Sequence, residues 1–196
     1  MKTDIVLAGV GGQGILSIAT IIGVAALEEN LYLKQAEVHG MSQRGGDVQS
    51  NLRISDKPIA SDLIPLGKAD LVVSLEPMEV LRYLPYLNTK GWLVTNTTPF
   101  INIENYPSQD ALMAELNSFD NVVAFDMDKM AKELGSPRSS NMVLLGAASP
   151  FLNINSDKLE DGIRKIFGRK GEKITEANVK AFRAGRGYTE KQLNNR

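Results

Sequence analysis

Short apolar runs separated by helix-like stretches make up most of the chain before Ser139. Nearly continuous apolar runs, typical of buried parallel strands, cover residues 5–8, 70–75, 92–95 and 122–125. Two further strands are predicted at residues 32–38 and, from regular alternation of apolar and polar positions, at residues 48–54. Apolar residues at helical spacing predict helices over residues 13–30, 78–84, 111–116 and 126–134.

From Ser139 onward the pattern predicts helices and no strand. These helices are expected over residues 142–148, 159–166 and 177–184, and the polar residues 185–196 are expected to form a loose tail. No repeat or linker divides the chain, so residues 1–196 are expected to form a single domain. The predicted fold class is α/β: a Rossmann-like, mainly parallel sheet flanked by helices, with a helical C-terminal part.

A glycine-rich turn joins the first strand to the first helix. Its residues Gly9, Gly11 and Gly14 fit the pattern G-x-G-x-x-G, and Gly12 and Gln13 lie between them. Backbone N–H groups and the helix dipole favour an anion at such a turn, so we predict that these five residues bind a cofactor or a phosphate. The sequence leaves open the alternative that the turn needs glycine only for packing.

A second polar loop follows the second predicted strand and has neither helical nor strand periodicity. It begins at His39, the single histidine, and contains Arg44, Gly45 and Gly46. A guanidinium can bind a carboxylate or phosphate bidentately, so His39, Arg44, Gly45 and Gly46 are predicted to contact a substrate or partner. A salt bridge that fixes the loop is the alternative for Arg44, and a structural hydrogen bond is the alternative for His39. If the first two strands are parallel neighbours, both loops emerge at the same edge of the sheet.

Composition and charge exclude several classes of function. The chain has 196 residues, a net charge of −1, no cysteine and one histidine. This balance gives no indication of binding to nucleic acid or to an anionic membrane, and no metal site is predicted. The apolar stretch at residues 15–27 is too short to span a bilayer. No signal peptide is expected before the first strand, so we expect a cytoplasmic protein.

Several motifs resemble one enzyme family. Residues 9–14 resemble the opening signature of the gamma subunit, or gamma domain, of 2-oxoacid:ferredoxin oxidoreductases, and residues 44–46 match the Arg-Gly-Gly loop of that family. Residues 37–46 are most similar to the small (beta) subunits of the indolepyruvate-specific members. Residues 75–84, 141–147 and 178–185 also resemble the family, so the similarity extends over nearly the whole chain as one gamma-type catalytic domain.

The resemblance implies a role in the coenzyme A-dependent oxidative decarboxylation of aryl pyruvates, with ferredoxin as the acceptor. In this family thiamine diphosphate, magnesium and the iron–sulfur clusters belong to a larger alpha subunit, which is the implied partner. We therefore expect the isolated chain to hold none of these cofactors, to contain no catalytic residue and to be inactive. The chain could also form a homodimer when isolated.

Three alternatives remain open at this point. The chain could serve another 2-oxoacid, such as pyruvate or 2-oxoglutarate. It could be a self-sufficient oxidoreductase that uses NAD or a flavin at the glycine turn. It could also be an assembly module whose glycine turn binds nothing.

Overall fold

The computed structural model describes residues 1–39 and 45–195, and for His39 it describes the backbone alone. Within these residues six strands form one sheet with the order β2-β3-β1-β4-β5-β6. The strands are β1 (Lys2–Val10), β2 (Tyr32–His39), β3 (Asp47–Ser55), β4 (Ala69–Ser74), β5 (Leu87–Asn96) and β6 (Val122–Phe125). Each of the six strands was predicted from the apolar pattern, and the α/β class is confirmed.

The sheet is parallel on one side of β1 and antiparallel on the other. β1 pairs in parallel with β4, β4 with β5 and β5 with β6. β3 is antiparallel to both β1 and β2 and lies between them, so β1 and β2 are not direct neighbours. The physical reason is the short connection from β2 to β3, because consecutive strands joined without a long crossover pair as an antiparallel hairpin. β2 still runs in the direction of β1.

Helices cover both faces of the sheet. In the described part of the chain they are α1 (Ile15–Glu28), α2 (Pro77–Arg82), α3 (Gln109–Asn117), α4 (Met127–Glu133), α5 (Ser140–Ala148), α6 (Ser156–Phe167) and α7 (Glu172–Asn194). Residues from α1 and α4 to α7 pack against one face of the sheet, which includes Ile5 and Leu7. Residues from α2 and α3 pack against the other face, which includes Val6 and Ala8. No helix among the described residues is long and apolar enough to cross a membrane.

The expected loose tail is instead part of a long helix, since α7 continues to Asn194. A Cβ at Gly185 would overlap the backbone carbonyl of Val143, which shows how closely α7 approaches α5. Farther along, Thr189 Oγ1 donates to the carbonyl of Ala147 over 2.9 Å, and the ring of Tyr188 stacks on Phe125 at 3.9 Å. These tertiary contacts order a segment whose polar sequence alone predicts no packing.

Candidate functional site

The glycine turn lies at the carboxyl end of β1 and leads directly into α1. Gly12 and Gly14 have φ angles of 102° and 80°, a region that favours glycine. The N-cap of α1 is Gly14, and the first turn of the helix has neither a capping side chain nor an acidic residue. A Cβ at Gly12 would meet nothing within 4 Å, so the backbone there is open to a close approach. The turn therefore has the form of an anion site at a helix N-terminus.

The side chain of Gln13 stabilises the turn from inside. Its Oε1 accepts a hydrogen bond from the N–H of Val10 over 2.8 Å, and its Nε2 donates to the carbonyl of Leu75 over 3.4 Å. A Cβ at Gly9 would lie 2.9 Å from Gln13 Oε1, so glycine at that position makes room for this amide. Gly9 and Gln13 thus have a packing role in the structure, and their contact with a ligand stays a prediction.

The second glycine pair is hydrogen-bonded to the first loop. Gly11 N–H donates to the carbonyl of Gly46 over 2.8 Å, and Gly45 N–H donates to the carbonyl of Gly11 over 3.3 Å. The two loops meet because β3, which begins at Asp47, pairs directly with β1, and the pairing of Val10 with Asp47 continues into these glycines. Arg44 and the side chain of His39 lie outside the described residues, so their predicted contacts stay predictions.

A third loop, residues 97–107, lies beside these glycines, and the sequence alone did not predict this contact. Asn102 Nδ2 donates to the carbonyl of Gly45 over 2.7 Å. Three apolar side chains of this loop face solvent, because Phe100, Ile101 and Ile103 are 44%, 70% and 48% exposed. A cluster of this kind next to a predicted binding loop is typical of an interaction surface.

Glu76 connects α2 to the 97–107 loop. It is the N-cap of α2, and its Oε2 accepts from the N–H of Glu79 over 2.8 Å. Its Oε1 accepts from the N–H of Phe100 over 3.3 Å and from the hydroxyl of Tyr106. Burial raises the pKa of Tyr106 above its usual value, and the hydrogen bond to Glu76 raises it further, so the phenol stays protonated and donates. One buried carboxylate therefore fixes both ends of the exposed apolar cluster.

A second buried carboxyl group on α2 contacts the first residue of β3. The pKa of Glu79 is raised to about 7, mainly by burial and further by the neighbouring Asp47. Arg82, whose Nε lies 3.0 Å from Glu79 Oε2, opposes this rise. Tyr83 donates its hydroxyl to Asp47 Oδ2 over 2.8 Å, while among the described residues Asp47 Oδ1 is buried and receives no hydrogen bond. A proton on Glu79 supplies the donor that this oxygen lacks. The Asp47–Glu79 contact thereby fixes the chain directly after Gly46.

A cavity of about 320 Å³ opens beside Gly12 and is lined by polar residues from three other segments, including Asn96, Asp128 and Arg138. The Asp128 carboxylate is held in place, since its Oδ2 accepts from Asn96 Nδ2 over 2.9 Å and its Oδ1 accepts from Ser140 Oγ over 2.5 Å. The cavity lies beyond the carboxyl ends of β1, β4 and β5. Here the strand order reverses, because the chain leaves β1 towards β2 on one side of the sheet and leaves β4 towards β5 on the other. Open α/β sheets bind ligands at such a switch point.

Asn96, Asp128 and Arg138 were not predicted from the sequence, although one signal was present. Asn96 directly follows the predicted strand 92–95, and polar residues at the carboxyl end of a parallel strand are candidates for a site. Asp128 follows the predicted strand 122–125 within three residues and carries a weaker form of the same signal, whereas Arg138 carries none, because only packing brings it to this edge.

A family model described as pyruvate ferredoxin/flavodoxin oxidoreductase matches residues 4–188. The chain belongs to this family. Indolepyruvate oxidoreductase subunit IorB of Pyrococcus horikoshii is 36% identical over 97% of the chain and 98% of that protein. 2-Oxoglutarate synthase subunit KorC of Methanothermobacter marburgensis is 30% identical over 95% of the chain and 96% of that protein. The resemblance inferred from the glycine turn and the Arg-Gly-Gly motif is confirmed.

A solved structure of a family member has the same fold. The gamma subunit of a keto/oxoacid ferredoxin oxidoreductase from Geobacter sulfurreducens superposes with a TM-score of 0.70 at 24% identity, covering 96% of this chain and 97% of that one. At this identity the similarity concerns the fold, and it confirms the Rossmann-like sheet with a helical C-terminal part.

The redox cofactors implied by the family do not fit the residues of this chain. Iron–sulfur clusters are held by cysteine thiolates, and the sequence contains no cysteine. Among residues 1–39 and 45–195, no group of three His, Cys, Asp or Glu residues is placed to hold a metal ion. No step through a cluster is therefore assigned to the residues of this chain.

Proposed function

We propose that this chain is the small (beta) subunit of an indolepyruvate:ferredoxin oxidoreductase. The observation that carries the proposal is 36% identity to an IorB subunit over almost the full length of both chains, against 30% to a KorC subunit. The reaction is the coenzyme A-dependent oxidative decarboxylation of an aryl pyruvate, with ferredoxin as the electron acceptor. A larger alpha subunit supplies thiamine diphosphate, magnesium and the iron–sulfur clusters.

The exposed apolar cluster of the 97–107 loop is the proposed contact surface for that larger subunit. Phe100, Ile101 and Ile103 face solvent on one loop, and the loop is fixed by Glu76 and by Gly45. Apolar side chains that are held rigidly at the surface lose little entropy when a partner covers them. Covering this loop would bring the partner to the edge where the glycine turn lies.

The glycine turn is proposed to contact a phosphate-bearing cofactor of the assembled complex. Gly12 is open to close approach, and the first turn of α1 carries no side chain that competes with an anion. Thiamine diphosphate and coenzyme A both carry phosphates that suit such a turn. Catalysis is then divided: this chain positions a cofactor and the larger subunit performs the redox chemistry.

Reconstitution tests the proposal. The purified chain is assayed alone and with the larger subunit, using indolepyruvate, coenzyme A, thiamine diphosphate and an artificial electron acceptor. We expect no turnover by the chain alone and turnover only with the partner. Indolepyruvate, pyruvate and 2-oxoglutarate are compared in parallel, and a preference for either of the latter two would overturn the assignment of the substrate.

A self-sufficient NAD- or flavin-dependent oxidoreductase is the main rival. A dinucleotide site places an acidic residue at the end of the strand next to β1, but here β3 occupies that position and β2 lies about 10 Å from β1, two strand spacings away. We therefore expect weak or no binding of NAD(H) by calorimetry. Micromolar affinity for NAD(H), or turnover without a second protein, would favour the rival. The cytoplasmic location and a homodimer of the isolated chain stay predictions.

A further inference from the structure

Two carboxyl groups lie in contact directly behind the second glycine pair, Gly45 and Gly46. Glu79 on α2 is 3% exposed, and Asp47 is the first residue of β3, immediately after Gly46. Among the described residues Asp47 Oδ1 is buried and receives no hydrogen bond, and Glu79 Oε2 is buried with an ion pair to Arg82 but no hydrogen bond. A proton shared between the two carboxyl groups satisfies Asp47 Oδ1 and removes the repulsion of two buried charges.

The described ionisable groups around Glu79 belong to three segments. They are Glu76, Arg82 and Tyr83 of α2, Asp47 of β3 and Tyr106 of the 97–107 loop. The strands packed against α2 contribute apolar side chains, among them Val6, Ala8, Val72 and Leu93. Burial has the largest influence on Glu79 and favours the protonated carboxyl group, and Asp47 acts in the same direction. Arg82 opposes both, but its side chain is 51% exposed, so water screens its charge.

Asp47 is connected to both glycine loops through the backbone. Gly46, the residue before it, accepts a hydrogen bond from the N–H of Gly11 over 2.8 Å. Asp47 Oδ2 accepts from the hydroxyl of Tyr83 over 2.8 Å, which holds the carboxyl group against α2. A charge on Glu79 therefore acts on a residue that is one peptide bond away from the contact between the two loops.

We propose that Glu79 is a positioning residue for the second glycine pair, and that the proton it shares with Asp47 holds this pair against the glycine turn. With the proton in place, Asp47 stays against α2 and Gly46 keeps its hydrogen bond to Gly11. Without it, two adjacent buried carboxylates repel each other, and Asp47 moves because it borders a loop, whereas Glu79 lies within a helix. The second glycine pair then leaves the glycine turn, and a partner that contacts both loops is bound more weakly.

Amide NMR of the full chain from pH 6 to 8 tests the proposal without the larger subunit. In the wild type, the amide signals of Gly11 and Gly46 should shift with one midpoint near pH 7, and the Gly11 proton should move upfield as its hydrogen bond lengthens. In Glu79→Gln the shift should disappear, because the glutamine amide donates to Asp47 at every pH. Asp47→Asn keeps the test possible if Glu79→Gln does not fold. Its midpoint should fall, because the charge that disfavours ionised Glu79 is gone.

Two control variants separate Glu79 from other titrating groups. Glu115→Gln replaces an exposed carboxylate of α3, which packs on the same face of the sheet as α2, and should titrate like the wild type. His39→Gln removes the single histidine, a residue type that titrates in the same pH range, and the shift of the glycine signals should persist. Constant signals in the wild type, a shift that survives in Glu79→Gln, or a shift that is lost in either control would overturn the proposal.

The consequence for partner binding rests on the function proposed above and is measured separately. Calorimetry of the wild-type chain with the larger subunit should give a severalfold higher Kd at pH 8 than at pH 6, and the two Kd values should be nearly equal for Glu79→Gln. If the amide signals titrate as expected but the larger subunit does not bind, the proposed function fails and the positioning role stands. An equal loss of affinity in the wild type and in Glu79→Gln would disprove the coupling of this proton to partner binding.

Discussion

Asn102 donates its side-chain amide to the backbone carbonyl of Gly45 over 2.7 Å, and this bond joins two loops that are far apart in the sequence. Gly45 is in turn bonded to Gly11 in the glycine turn. The 97–107 loop therefore helps to hold Gly45 and the glycine turn in position at the predicted binding site. A substitution in that loop should alter function more than stability.

Asn102→Ala tests this dependence. Asn102 is exposed, so removal of one hydrogen bond should change the free energy of unfolding by no more than about 1 kcal/mol. The activity of the complex reconstituted with the larger subunit should fall severalfold, mainly through a higher KM, because Gly45 is less well positioned. Asn105→Ala is the control, since Asn105 is exposed in the same loop. An equal effect of both substitutions would contradict the prediction.

Arg44→Ala tests the prediction that Arg44 contacts a ligand or the partner. If Arg44 contacts a ligand or the partner and no carboxylate of its own chain, the thermal midpoint of the isolated chain should stay nearly unchanged while the activity of the reconstituted complex falls. The measurements are thermal unfolding of the chain and turnover of the complex. Normal activity with a large loss of stability would show that Arg44 fixes the loop instead.

Glu79→Gln should change the pH dependence of stability. The pKa of Glu79 is raised to about 7 in the folded chain from 4.5, so the folded state binds more protons than the unfolded state between these values. Stability is therefore lost as pH rises through this window, and the loss is complete above pH 7. For one buried carboxyl group with a shift of this size, the loss amounts to about 3 kcal/mol.

Denaturant unfolding of the wild type and of Glu79→Gln at pH 5 to 8 measures this effect. The glutamine keeps a donor for Asp47 and does not titrate, so the variant should gain stability relative to the wild type as the pH rises. If the free energies of unfolding of the two proteins differ by a constant amount from pH 5 to 8, Glu79 does not titrate in this range.

Gly185→Ala should destabilise the chain by about 3 kcal/mol, because the added Cβ overlaps the carbonyl of Val143 where α7 meets α5. Gly187→Ala lies two residues farther along the same helix, and its Cβ would meet nothing within 4 Å. This control should stabilise the helix by about 0.5–1 kcal/mol, since alanine favours a helix over glycine. Thermal or denaturant unfolding measures the stability of both variants. Equal stabilities would disprove the close approach of α7 to α5 at Gly185.

The sequence by itself determined the elements and the family. Continuous apolar runs indicated β1, β4 and β6 because buried parallel strands contact apolar groups on both faces. The glycine turn followed from residue type alone, since Gly12 and Gly14 adopt φ angles that other residues avoid. Its place between a strand and a helix indicated an anion site, and the Arg-Gly-Gly motif indicated the family.

Tertiary structure decided which of these elements meet. Local periodicity carries no information about pairing partners, so the insertion of β3 between β1 and β2 was not predictable from the pattern. Nor was the helical order of residues 185–194, which depends on contacts of Thr189 and Tyr188 with distant parts of the chain. Asp128, Arg138 and Asn102 reach the binding edge for the same reason: their positions are set by packing between segments that are far apart in the sequence.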